Sequence, residues 1–193
     1  MFSPESARSC ARSRTKAPAS LRATVERRHT RRMATDFDEE QQRVEAEERD
    51  LVFARFTNDD ALELGLLLAE KARARKLPIA IDIERGGQRL FHFAAAGTAP
   101  DNAAWIERKK NLVRRMFRSS YGVGLKLAAS KKTLEDNMGP AAADYAAHGG
   151  CFPIVVRGVG FVGTVAVSGL PQKEDHDLVV EALRAFLARA PAE

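Results

Sequence analysis

The chain has 193 residues, enough for one ordinary domain and short for two, and 45% of them are hydrophobic, so a sizeable core can form. Its net charge of +5 points to a nucleic-acid partner only if taken whole. Residues 1–32 hold nine Lys/Arg against Glu5 and Glu26, a net +7, which leaves the remainder at −2.

The first 32 residues are rich in Ser, Ala, Arg and Thr and almost free of large apolar side chains. Such a segment buries too little surface to offset its ordering entropy, so a disordered basic extension is expected, with the domain over 33–193. Met33 as the real start, a basic arm on nucleic acid or an anionic surface, and a transit-like peptide all remain open. Nucleic acid enters only through this extension. No run approaches the ~20 apolar residues of a membrane span, so a cytoplasmic protein is expected. Cys10 and Cys151 show no metal-ligating spacing and exclude a disulfide framework. Cys151 reads as a small buried residue at a strand start.

Residues 38–49 form a charged helix, and Leu51–Phe56 is a short apolar run read as a strand. Thr57 or Asn58 caps a helix to about Lys76, with Asp59, Asp60 and Glu63 in its first turn. Leu62, Leu66 and Ala69 share one of its faces, with Leu64 and Leu68 beside them. Ile79–Glu84 alternates as a strand, and Gly86-Gly87 turns the chain into a second strand over Arg89–Ala95. A three-residue turn is favoured, because it sets Phe91 and Phe93 on the isoleucine face and His92 on the other.

A helix opens at Asp101 and runs to about Phe117. Trp105, Leu112 and Met116 form one apolar row and Ile106, Val113 and Phe117 the next. Lys109 sits between the rows, where it snorkels, makes an internal ion pair or holds an anion. Ser119 or Ser120 caps the following helix to about Lys131, and Ala141–His148 is read as a short helix ended by Gly149-Gly150. There His148 would cap a helix C-terminus, or meet a ligand for which two glycines leave room. Phe152–Arg157 and Gly160–Val167 form a second hairpin. The last helix, Gln172–Arg189, carries Leu178, Val179, Val180, Leu183, Phe186 and Leu187 as its stripe and turns His176 toward the sheet. The expected fold is α+β, a single domain with a mostly antiparallel sheet of about five strands flanked by helices in α/β/α layers.

No phosphate loop, dinucleotide fingerprint, nucleophile elbow or HExxH motif is present. Three segments carry a resemblance: residues 97–111 (GTAPDNAAWIERKKN), 147–154 (AHGGCFPI) and 167–176 (VSGLPQKEDH). Together they resemble an uncharacterised-protein family within the haem-degrading-domain superfamily, which also holds haem-binding sensor proteins and the glycolate-operon protein. The resemblance implies a five-stranded α/β/α domain and a cytosolic homo-oligomer binding haem or another small anionic ligand. It draws attention to Trp105, Arg108, Lys109, Asn111, His148, Gly149, Gly150, Phe152, Pro153, Ser168, Asp175 and His176. Haem needs an axial ligand, an apolar slot and cations for its propionates. His148 or His92 is the expected iron ligand, Trp105 and Phe152 the lining, and Arg108 with Lys109 the propionate partners. Two alternatives stay open. One is an enzyme with His148 or His176 as general base, oriented by Asp175 or Asp144, with Lys109 or Arg108 stabilising negative charge. The other is a ligand-free assembly protein.

Overall fold

The computed structural model describes residues 36–189; the expected extension over 1–32 lies outside them. Residues 40–189 belong to one compact unit. Its helices are α1 (36–50, of which 40–50 lie in this unit), α2 (Asn58–Arg75), α3 (Pro100–Met116), α4 (Ser120–Ala129), α5 (Leu134–Met138) and α6 (Gln172–Leu187), with a 3-10 helix over Gly139–Asp144. The strands are β1 (Ala80–Arg85), β2 (Gln88–Ala94), β3 (Cys151–Val156) and β4 (Gly160–Ser168), antiparallel throughout in the order β2-β1-β4-β3.

Four strands replace the expected five. Leu51–Phe56 makes a single bridge, in which the Phe53 N–H donates to the Val155 carbonyl (2.9 Å) and the Phe53 carbonyl accepts from Arg157 N–H (2.8 Å). The run has no room to continue. It begins as α1 ends and stops at Thr57, whose capping box with Asp60 fixes the start of α2. Its side chains turn inward instead: Phe53 stacks edge-on against Phe56, with centroids 5.0 Å apart.

The β1–β2 hairpin has the expected faces by a different route. The turn is Gly86-Gly87 alone, since Arg85 pairs with Gln88, and a bulge beyond Ile83 then restores Ile83 opposite Phe91 and Ile81 opposite Phe93. His92 pairs with Asp82 on the other face.

Both sheet faces are covered. α2 and α6 pack on one, where Ile79, Ile81, Ile83, Phe152, Ile154, Val165 and Val167 meet Leu64, Leu68, Val179 and Leu183. α3 covers the second, over Ala80, Cys151 and Ala166. The buried face of α2 includes Ala61, Leu64, Leu68 and Ala72; of the expected stripe Ala69 is buried, while Leu62 and Leu66 are about half exposed. Leucines surround this helix, so periodicity does not select a face. Contact with Phe91 does: a Cβ on Gly65 would run into the Phe91 ring. The short helix expected over Ala141–His148 is the 3-10 turn followed by extended chain, so His148 caps no helix. Among the described residues no helix is long and apolar enough to cross a membrane.

Candidate functional site

α3 supplies the first half of the site. Pro100 pre-sets its first turn, and the Asn102 side chain accepts from Ala99 N–H (2.8 Å), the half of a capping box that needs no N-cap oxygen. Successive turns aim Trp105, Arg108 and Lys109 along neighbouring lines. Lys109 is 3% exposed and donates to Asp175 Oδ2 (3.0 Å) and to the Val167 carbonyl (3.1 Å). Of the readings open for it, the internal ion pair is the one observed. A buried ammonium is tolerated only with such partners.

Asp175 is shared between two tasks. Pro171 stands at the N-cap of α6 and supplies no capping side chain; the Asp175 carboxylate reaches back instead, accepting from Leu170 N–H (3.0 Å). Burial raises its pKa above the ordinary aspartate value, against the lowering by Lys109.

Gly149 and Gly150 make room for the chain itself, not for a ligand. A Cβ on Gly149 would run into the Gln172 carbonyl oxygen. One on Gly150, whose φ is +112°, would lie 2.5 Å from the Val167 carbonyl oxygen and 2.8 Å from Lys109 Nζ. The two glycines thus seat the loop against β4, α6 and the Lys109–Asp175 pair.

That seating presents His148 outward. Ala146 N–H donates to the Arg108 carbonyl (3.0 Å), tying the loop to α3. The exposed His148 imidazole stands edge-to-face with Trp105, centroids 5.0 Å apart, and Arg108 lies over the indole at 4.0 Å. Partial burial lowers the His148 pKa, and Lys109 and Arg108 lower it further, so the ring is neutral at pH 7 with a nitrogen lone pair to offer. Two depressions meet at this ring. One, of about 280 Å³, touches Asp101, Asn102, Lys109, Ser168 and Asp175; the other, of about 370 Å³, touches Arg108, Leu127, Ala128, Lys132, Leu134 and Tyr145. Trp105 and His148 border both.

A family model described as haem degrading protein HbpS-like matches residues 56–184. The chain belongs to this family. It is 58% identical over 144 residues to a UPF0303 protein of Streptomyces coelicolor, covering 75% of this chain and 91% of that one. Among solved structures, the Ybr137w protein is 33% identical with a TM-score of 0.72, covering 78% of this chain and 90% of that one. A PduOC:heme complex shares the fold at 16% identity and a TM-score of 0.56, covering 67% of this chain and 94% of that one.

Not all the residues singled out from the sequence converge in this HbpS-like domain. Trp105, Arg108, Lys109, His148, Ser168 and Asp175 surround the two depressions. Phe152 is 1% exposed and packs in the core on the opposite sheet face, beside His176, so it lines no slot with Trp105. Asn111 spans structural groups, donating to the Asp144 carbonyl (3.0 Å) and accepting from Arg114 (2.9 Å). His176 is buried and holds Glu47 Oε2 at 3.0 Å, and neither depression reaches it. His148 and His176 therefore share neither depression. His92 lies on β2 with Nδ1 3.6 Å from Asp82 Oδ2, outside both depressions. Cys151 is buried, and burial pushes its thiol up to about 12, which makes it inert. Sequence reading missed Lys132 and Tyr145. Lys132 stands in the connection between α4 and α5 and Tyr145 in the loop from the 3-10 helix to β3, where a basic or aromatic side chain looks like any solvated one.

Proposed function

We propose that the domain binds a small anionic ligand, haem first among the candidates, at the Trp105–His148 ledge, in a cytoplasmic homo-oligomer. The observation that carries this is the exposed His148 imidazole, braced by Trp105 and flanked by cations. The residues present suit haem. His148 would hold the iron, Leu127, Ala128 and Leu134 would meet the macrocycle, and Arg108 and Lys132 would face the propionates. Lys109 is given no part, because its ammonium is already held by Asp175 and the Val167 carbonyl. Bound haem would supply a redox-active iron, tuned by its axial imidazole and the polarity of its pocket. Membership of the HbpS-like family and the fold shared with the PduOC:heme complex support this choice of ligand.

The test is a haem titration followed at the Soret band. Saturable binding of about one haem per chain is expected, abolished by His148→Ala and weakened severalfold by Arg108→Gln, with thermal unfolding checked for each variant. Binding indifferent to His148→Ala would overturn the assignment. Adding a reductant to the loaded protein separates a carrier from a haem-degrading enzyme. Light scattering tests the assembly, for which half-exposed Leu62 and Leu66, neighbours on the outer face of α2, are the expected contact.

A further inference from the structure

We propose that the groove between α4 and α5 is a second ligand site and takes a small amphipathic anion, a medium-chain carboxylate. Its tail would lie on Met116, Val123, Leu127 and Met138, and its head group would meet Arg115 and Lys126. The groove encloses about 490 Å³, within the roughly 300–1,000 Å³ usual for small-molecule sites, and its surface is mainly apolar. Met116 on its wall is 44% exposed, an apolar surface rimmed by charge.

The charge is of one sign. Among the described residues, Arg115, Arg118, Lys126 and Lys132 line the groove and no carboxylate does. Residues 33–193 carry a net −2, so four cations around one apolar strip do not reflect general basicity. Arg118 is already neutralised by Glu48, with Glu45 3.8 Å away. Arg115 has only the Tyr145 hydroxyl (3.3 Å) and ring, and Lys126 forms no ion pair among the described residues. Apolar walls with uncompensated cations at the rim select a ligand with a tail and a negative head.

The far wall is built to give. α5 contributes no buried residue and is held by its capping box, in which Thr133 N–H donates to Asp136 Oδ2 (2.7 Å). An element without core anchorage moves at low cost, as ligand-gripping elements do. Methionines at 116 and 138 adapt to tails of different shape. The groove adjoins the His148 ledge through Leu127, Lys132 and Leu134, but its head-group cations are different residues.

Calorimetric titration of the full 193-residue chain with decanoate, decanol and acetate decides the matter. Decanoate should saturate at one per chain, with decanol and acetate at least tenfold weaker. Arg115→Gln combined with Lys126→Gln should weaken decanoate about tenfold, leave decanol unchanged and leave haem binding intact. Asn137→Trp, at an exposed residue on the groove, should block decanoate without lowering the melting temperature. Equal affinity for decanoate and decanol, or wild-type decanoate binding by the double variant, would overturn the proposal. So would binding to phosphatidylglycerol vesicles without binding to free decanoate, which would assign the cations to a membrane surface.

Discussion

Along β1 the two faces of the sheet are both buried and chemically opposite. In β1, Ile81 and Ile83 are fully buried on the face covered by α2 and α6, while Asp82 and Glu84, at 1% and 6% exposure, are buried on the face covered by α3. The first face is closed by aliphatic packing. The second is closed by charge: Lys110, itself 1% exposed, reaches Asp82 (2.7 Å), Glu84 (3.0 Å) and Glu107 (2.8 Å), and Arg114 pairs with Glu84. The Lys109–Asp175 pair lies under the same helix. One face gains from excluding water at all; the other gains only while every charge keeps its partner.

That difference predicts where the molecule is most easily broken. Lys110→Met should cost about 3 kcal/mol, because it takes from buried Asp82 and Glu84 the ammonium they share and leaves Asp82 to half-exposed Arg89 and Glu84 to Arg114 alone. Urea denaturation measures it, and a cost under about 1 kcal/mol would mean that water reaches this face. Ile83→Ala, one residue along the strand from Asp82 and facing the other way, should cost about 3 kcal/mol through lost burial and a residual cavity. Gly150→Ala should cost about 2 kcal/mol, from a positive φ and from crowding of the Lys109–Asp175 pair. It should also disturb the His148 imidazole resonances, since the same loop presents that ring. A stable variant with unmoved resonances would disconnect the charged face from the ledge.

The alternation of β1 was legible as two faces but not as two buried faces. Ile-Asp-Ile-Glu reads as core and solvent, and only the cover by α3 shows that the acids are inside. The matching signal was present one position beyond the residue singled out, since Lys109 and Lys110 are both buried and answer different acids. Hairpins, the start of α3 and the stripe of α6 followed from local rules of turn, cap and period. The fifth strand, the face of α2 and the role of Gly149-Gly150 did not. Each depends on what a distant segment leaves room for: the cap of α2, the ring of Phe91 and the carbonyl of Gln172. The ledge was half legible for the same reason. His148 and Trp105 stood out by type, whereas the withdrawal of Phe152 and His176 to the other side required the sheet.

The smallest effect separates the two faces most cleanly, because it depends on pH. Burial pushes the Glu84 carboxyl up, but hydrogen bonds from Arg114 and Lys110 outweigh it, and the pKa in the folded protein lies below the ordinary value of 4.5. A depressed acid stabilises the fold above its unfolded pKa, and that contribution is lost as the pH falls through the folded value. Stability should therefore decline below about pH 4.5. Part of that decline should vanish in Glu84→Gln, whose stability curve is lower at pH 7 and flatter in acid. Ile83→Ala alters no titrating group, so its curve should drop by a constant amount and keep the wild-type shape. Urea midpoints between pH 7 and pH 3 for the three proteins make the comparison. If Glu84→Gln keeps the wild-type slope, acid sensitivity belongs to the half-exposed pairs, such as Glu181 with Arg75, and the charged face stays closed in acid.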